Sequence, residues 1–179
     1  MKRKPSVYNI VIAVILILIL IIGSLVIFVN PDKKPVRKPG IAVTEQPAPE
    51  AKPVFRKDGE LRFLKDKTGE VISRIDIEVA RNDAQREQGL MYRDTMPADA
   101  GMLFLMEMEE TQAFWMKNTI IPLDILYVNS EMRIVSIHKN TTPFSLEQIV
   151  SAKPAIYVVE VNTGYTDKYN IKVGDRITF

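Results

Sequence analysis

Three charged side chains stand where strand alternation surrounds them with apolar neighbours. In Ala113 to Thr119, Lys117 shares a face with Trp115; in Leu123 to Val128, Asp124 shares one with Leu126 and Val128; in Ala155 to Val161, Glu160 shares one with Ile156 and Val158. An unpaired charge is costly to bury, so each of the three must find a partner or line a cleft. In the favoured arrangement, Lys117 pairs with Asp124 or Glu160 at one end of a barrel and fixes the fold. In the alternative, Lys117 and Asn118 bind an anionic or carbonyl group, and Asp124 or Glu160 acts as base or orienter. Catalysis is the weakest reading, because no familiar nucleophile-and-base arrangement accompanies these residues.

Other residue types narrow the chemistry. Arg93, in Met91-Tyr92-Arg93-Asp94, is suited to two-pronged pairing with a carboxylate and is expected to clamp Asp99, Asp124 or a ligand. Trp115 is the sole tryptophan and reads as a core or pocket-wall aromatic, or as a stacking platform. Met91, Met96, Met102, Met106, Met108, Met116 and Met132 are soft ligands in principle, but core filling explains them more simply. The chain has no cysteine, so disulfides, thiol nucleophiles and cysteine-ligated metals are excluded. Its one histidine, His138, rules out a multi-histidine zinc site and reads as an exposed or simply hydrogen-bonded side chain. Gly89, Gly101, Gly164 and Gly174 are too far apart for a phosphate loop. No metal or cofactor is expected. The net charge is +2 without a basic block, which gives no ground for a nucleic-acid partner.

The chain divides into three parts. Residues 1–30 contain an apolar run from Tyr8 to Val29, about 22 residues against the ~20 that cross a bilayer core. The run lacks an Ala-x-Ala cleavage pattern and is apolar on every face, so it reads as a retained single-pass membrane anchor. Lys2, Arg3 and Lys4 before it nearly balance Lys33, Lys34, Arg37 and Lys38 after it; the short basic tail favours a cytoplasmic N-terminus and a periplasmic, extracytoplasmic domain. Residues 31–54 carry Pro31, Pro35, Pro39, Pro47, Pro49 and Pro53, the composition of a semi-stiff tether reaching up to ~70 Å. Residues 55–179 form the domain, long enough for one core.

Within the domain, Leu61–Lys65 and Val71–Ala80 read as strands joined by a turn at Asp66-Lys67-Thr68-Gly69, with Arg74, Asp76 and Glu78 on the outer face of the second. Asn82 and Gln85 have the spacing of a helix start, and Gly89 ends that helix early. Strands are expected at Met102–Met106, Ala113–Thr119, Leu123–Val128, Arg133–His138, Ala155–Val161 and after Gly174, with loop over 139–154 and a helical turn within Asn162–Asn170. The fold class is therefore mainly β, a compact and mostly antiparallel sandwich or barrel with one or two short helices.

Gly89-Leu90-Met91-Tyr92-Arg93, Gly101-Met102-Leu103-Phe104, Phe114-Trp115-Met116-Lys117-Asn118-Thr119 with Pro122-Leu123-Asp124-Ile125, Ala155 through Asn162 with Gly164, and Gly174-Asp175 follow one another in that order. In this the chain resembles the family known as domain of unknown function 192, over residues 70–179. The resemblance implies a compact, mainly β fold, often in an exported or membrane-attached setting, and no established activity. Three functions stay open: an extracytoplasmic module that binds a small ligand or a protein, a hydrolase or lyase using Lys117 with Asp124 or Glu160, and a scaffold of a membrane complex. The candidate pocket comprises Arg93, Trp115, Lys117, Asn118, Asp124 and Glu160.

Overall fold

Among the described residues, alternating apolar residues build nine strands, and two short helices interrupt them. In chain order these are β1 (Gly59–Leu64), β2 (Val71–Ala80), α1 (Asp83–Gln88), β3 (Ala100–Glu110), β4 (Ala113–Phe114), β5 (Leu123–Val128), β6 (Ile134–His138), β7 (Ile149–Val150), β8 (Ala155–Asn162), α2 (Tyr165–Lys168) and β9 (Arg176–Thr178). This is a computed structural model that describes residues 53–179. The apolar run at residues 8–29 and nearly all of the proline-rich segment lie outside the described residues. Among the described residues no helix is long and apolar enough to cross a membrane.

Seven strands form one sheet in the order β6-β5-β8-β3-β2-β1-β9, and β4 pairs with β7 in a separate two-stranded sheet. The expected barrel or sandwich is corrected here to a mixed sheet, because β2 and β3 run parallel while their other neighbours are antiparallel. Parallel strands need a crossover, and the segment carrying α1 supplies it. The sheet curls until Arg133, just before β6, bridges Arg176 at the start of β9, but that bridge does not close it into a barrel.

Helix α1 starts where the sequence says it should. Asn82 Oδ1 accepts from the Gln85 N–H at 3.0 Å, and Gln85 Oε1 accepts from the Arg81 N–H at 2.8 Å. Gly89 ends the helix with φ 44°, a backbone setting that side chains disfavour.

Apolar clusters cover both faces of the sheet. One contains Leu61, Phe63, Ile77, Leu103, Leu126, Val159 and Ile177; the other contains Leu90, Met102, Phe104, Leu123, Ile125, Tyr127 and Val158. Strand β5 is buried along its whole length for this reason. The close pairing of β3 with β8 depends on Gly101, where a Cβ would lie 2.6 Å from the Glu160 carbonyl oxygen and 2.9 Å from Ile75 Cδ1. A side chain there would push apart the strands that carry Met102 and Glu160.

The strand expected from Ala113 to Thr119 stops at Phe114. Beyond it the chain turns: the Met116 N–H bonds to the Ser145 carbonyl, the Thr119 N–H bonds to the Met116 carbonyl, and Asn118 is left-handed at φ 55°. Strand parity therefore ends before Lys117.

Candidate functional site

The register of β5 against β8 separates the two carboxylates singled out above. Ile125 lies opposite Glu160, and Asp124 lies opposite Val161. Alternation therefore points Asp124 to the face of Leu126 and Val161, and Glu160 to the face of Ile125 and Met102. The two cannot serve one site.

Asp124 is fully buried and saturated. Oδ1 accepts from the N–H groups of Asn140 at 3.0 Å and Gly164 at 3.3 Å; Oδ2 accepts from the Thr166 N–H at 3.1 Å and the Thr166 hydroxyl at 2.6 Å. It ties the end of β6 to the turn before α2, a structural role.

Arg93 is also structural, but its partner is Glu78 rather than Asp99 or Asp124. Nη1 and Nη2 meet the Glu78 carboxylate at 2.5 and 2.7 Å, and both residues are buried. The Arg56 N–H adds a bond to Glu78 Oε1 at 2.9 Å. Glu78, expected on an outer face, is covered because β2 is an interior strand.

The expected pairing of Lys117 with Asp124 or Glu160 does not form. Lys117 is half-buried in the turn after β4, and its Nζ lies 4.9 Å from the centroid of the Trp115 ring. Asn118 donates to the Tyr92 hydroxyl at 2.7 Å and to Met91 Sδ at 3.8 Å, while its carbonyl accepts from the Tyr92 N–H. These bonds pin the turn against the segment leaving α1. His138 hydrogen-bonds the Val150 carbonyl through Nε2 at 2.9 Å, which agrees with a simple partner role. Met102 and Met116 lie in the core, whereas Met108 is exposed.

Glu160 stands apart. It lies on an interior strand between Met102 and Ile125, 5 % exposed, and makes no hydrogen bond or ion pair with the described residues. Burial pushes its carboxyl up to about 8. Tyr127, on the same face, is shifted in the same direction, first by burial and then by the Glu160 charge. Glu160 forms part of the wall of a cleft of about 180 Å³, with Leu90, Phe104, Phe114 and Trp115 among its apolar lining and Gln88 and Gly89 at the end of α1. The Phe104 and Phe114 rings meet edge to face at 5.0 Å, and Phe114 meets Tyr127 in the same way at 6.0 Å. The Tyr127 hydroxyl donates to the Ile149 carbonyl at 2.5 Å, anchoring β7 and, through it, β4. Trp115 is 45 % exposed, at the mouth.

The cleft thus takes Trp115 and Glu160 from the expected set, leaves Lys117 and Asn118 at its margin, and excludes Arg93 and Asp124. Sequence reasoning missed Leu90, Phe104 and Phe114. The available signal was Gly89, which stops α1 so that Leu90 turns inward. Among the described residues no cluster of three or more histidine or acidic side chains could hold a metal.

The fold and cleft define a small mixed-sheet domain with one buried acidic group in the wall of a recess of about 180 Å³. Residues 64–179, more than half of the chain, match the sequence profile of DUF192, described as an uncharacterized ACR family, and the chain belongs to that family. No curated protein matches it. Among solved structures, a protein described as a proposed transcription regulator from Sinorhizobium meliloti 1021 is 39% identical, with TM-score 0.63, over 66% of this chain and 91% of that one. A protein of unknown function from Novosphingobium aromaticivorans DSM 12444 is 32% identical, also with TM-score 0.63, over 67% of this chain and 84% of that one.

Proposed function

We propose that the domain is a small-ligand binding module whose site is the cleft between the end of α1, Phe104 and Trp115. Glu160 carries this reading: a buried carboxyl without a partner among the described residues, in the wall of a largely apolar recess. A buried titratable group with a shifted pKa in a concave site is a candidate functional position. Recesses of about 150 Å³ accept benzene, so the cleft suits one ring with a short polar arm. The hydrolase or lyase reading loses support, since Asp124 has its acceptor sites filled and Lys117 lies over Trp115. The scaffold reading rests only on scattered exposed apolar residues such as Phe144 and Leu146. We carry no nucleic-acid role over from the Sinorhizobium relative, because this chain has a net charge of +2 and no basic block.

The test is a one-ring fragment screen by NMR on the full chain in detergent. Binding should shift the signals of Leu90, Phe104, Phe114 and Trp115, and Met106→Trp, which fills the cleft, should remove those shifts. Shifts centred elsewhere, or unchanged in Met106→Trp, would overturn the assignment.

The setting we propose is a membrane tether through residues 8–29, with the domain extracytoplasmic. The length of the apolar run supports it. Full-length chain should stay in the pellet after alkaline carbonate extraction, and a chain lacking residues 1–30 should not. Release of both would remove the tether.

A further inference from the structure

Resting on the cleft reading, we infer that the ligand class is a primary ammonium carried on a single apolar ring or short apolar body, with the ammonium paired to Glu160. The charge balance of the recess points this way. The charged residues lining it are Arg86, Glu87 and Glu160. Arg86 is already committed: it donates to the Leu105 carbonyl at 2.8 Å, pairs with Glu107 at 3.1 Å, and also pairs with Asp83. Glu87 is exposed and makes no ion pair with the described residues. The recess therefore holds two carboxyl groups and no uncommitted cation. Its remaining walls are the faces and edges of Phe104, Phe114 and Trp115, and aromatic rings attract cations. Trp115 already shows this preference, with Lys117 Nζ against its ring, and Lys117 itself does not line the recess.

The surroundings leave Glu160 without compensation. On its own face the titratable and charged neighbours are Tyr127 from β5, His138 from β6 with its Nε2 held by the Val150 carbonyl at 2.9 Å, Glu78 from β2 with Arg93 bound to it, and Arg86 and Glu87 from α1. Arg93 is spent on Glu78, and Tyr127 donates to the Ile149 carbonyl. An incoming ammonium would supply the missing positive charge. Near neutral pH the empty site holds the carboxylic acid, because its carboxyl is pushed up to about 8. Pairing with an ammonium ionises it, so one proton leaves to solvent for each ligand bound.

The experiment is calorimetric titration of the full chain in detergent at pH 7, in two buffers of different ionisation enthalpy. Phenethylamine, 2-phenylethanol and 3-phenylpropionate are the probes. The expected result is at least tenfold tighter binding of the amine than of the alcohol, with release of close to one proton. Glu160→Gln should lose both the preference and the proton release while still binding the alcohol. If that variant does not fold, the proton count of the unaltered chain decides. Equal or tighter binding of the alcohol or the carboxylate, or no proton release with the amine, overturns the ammonium assignment and leaves the cleft reading intact. Absence of binding by all three, together with no fragment shifts at the cleft, removes both.

Discussion

Asp124 and Glu160 are buried carboxyl groups on neighbouring strands, one position apart across the β5–β8 ladder, and their surroundings are opposite. Asp124 receives four donors from Asn140, Gly164 and Thr166. Glu160 receives none from the described residues and forms part of the wall of a cleft. A hydrogen-bonded charge with filled lone pairs is a structural tie, whereas an unsatisfied one is a cost the fold retains. The difference separates what holds the domain together from what it can offer to a ligand.

The sharpest way to break the comparison is to remove the structural member. Asp124→Ala leaves three backbone N–H groups and a hydroxyl facing a void and should destabilise the domain by about 3–5 kcal/mol, read by denaturant unfolding. A loss below about 1 kcal/mol would show that Asp124 is not the tie described. Arg93→Ala should cost about 3 kcal/mol, because Glu78 is left buried and unpaired. Combining Arg93→Met with Glu78→Met should recover most of that loss. A double variant as unstable as the sum of the singles would deny the coupling between them.

Alternation in the sequence located both carboxyl groups in apolar surroundings, because period-two patterning is local, while Trp115 was marked as the sole tryptophan. It could not say that Asp124 and Glu160 face opposite sides, since that depends on how β5 registers against β8. The parallel pairing of β2 with β3 was equally hidden. A short helix between two strands reads as an ornament of an antiparallel fold until the strand order shows it to be a crossover. Glu78 was placed outward for the same reason: the charges at Arg74, Asp76 and Glu78 look like a wet face, yet at Glu78 β2 is covered. Lys117 was misjudged because strand parity was carried past Phe114, and the left-handed turn at Asn118 follows from contacts with Tyr92 and Ser145, distant in sequence.

Next in size is the pH behaviour of the other member of the pair. The Glu160 carboxyl titrates at about 8 in the folded chain against an ordinary value of 4.5. Between those values the folded state holds a proton that the unfolded state has lost. Stability contributed by this group is therefore full below about 4.5, declines as pH rises, and is lost above about 8. Glu160→Gln keeps the shape and cannot ionise. It should match the unaltered chain at pH 5 and exceed it by roughly 1–3 kcal/mol at pH 9. Parallel stability curves for the two proteins would mean that Glu160 ionises freely, and the contrast with Asp124 would collapse.

The smallest expected effect concerns Lys117 and bears on which residues belong to the cleft. Its Nζ lies against the Trp115 ring at the rim, with no carboxylate among the described residues paired to it, so Lys117→Ala should change stability by less than about 1 kcal/mol. Trp115→Ala should likewise cost little stability for a tryptophan, because the ring is 45 % exposed, yet it removes one wall of the recess. The two variants should therefore be alike in thermal unfolding and unlike in binding: phenethylamine affinity should fall at least tenfold in Trp115→Ala and stay within about twofold in Lys117→Ala. A larger loss of binding in the lysine variant would move Lys117 from the margin into the site.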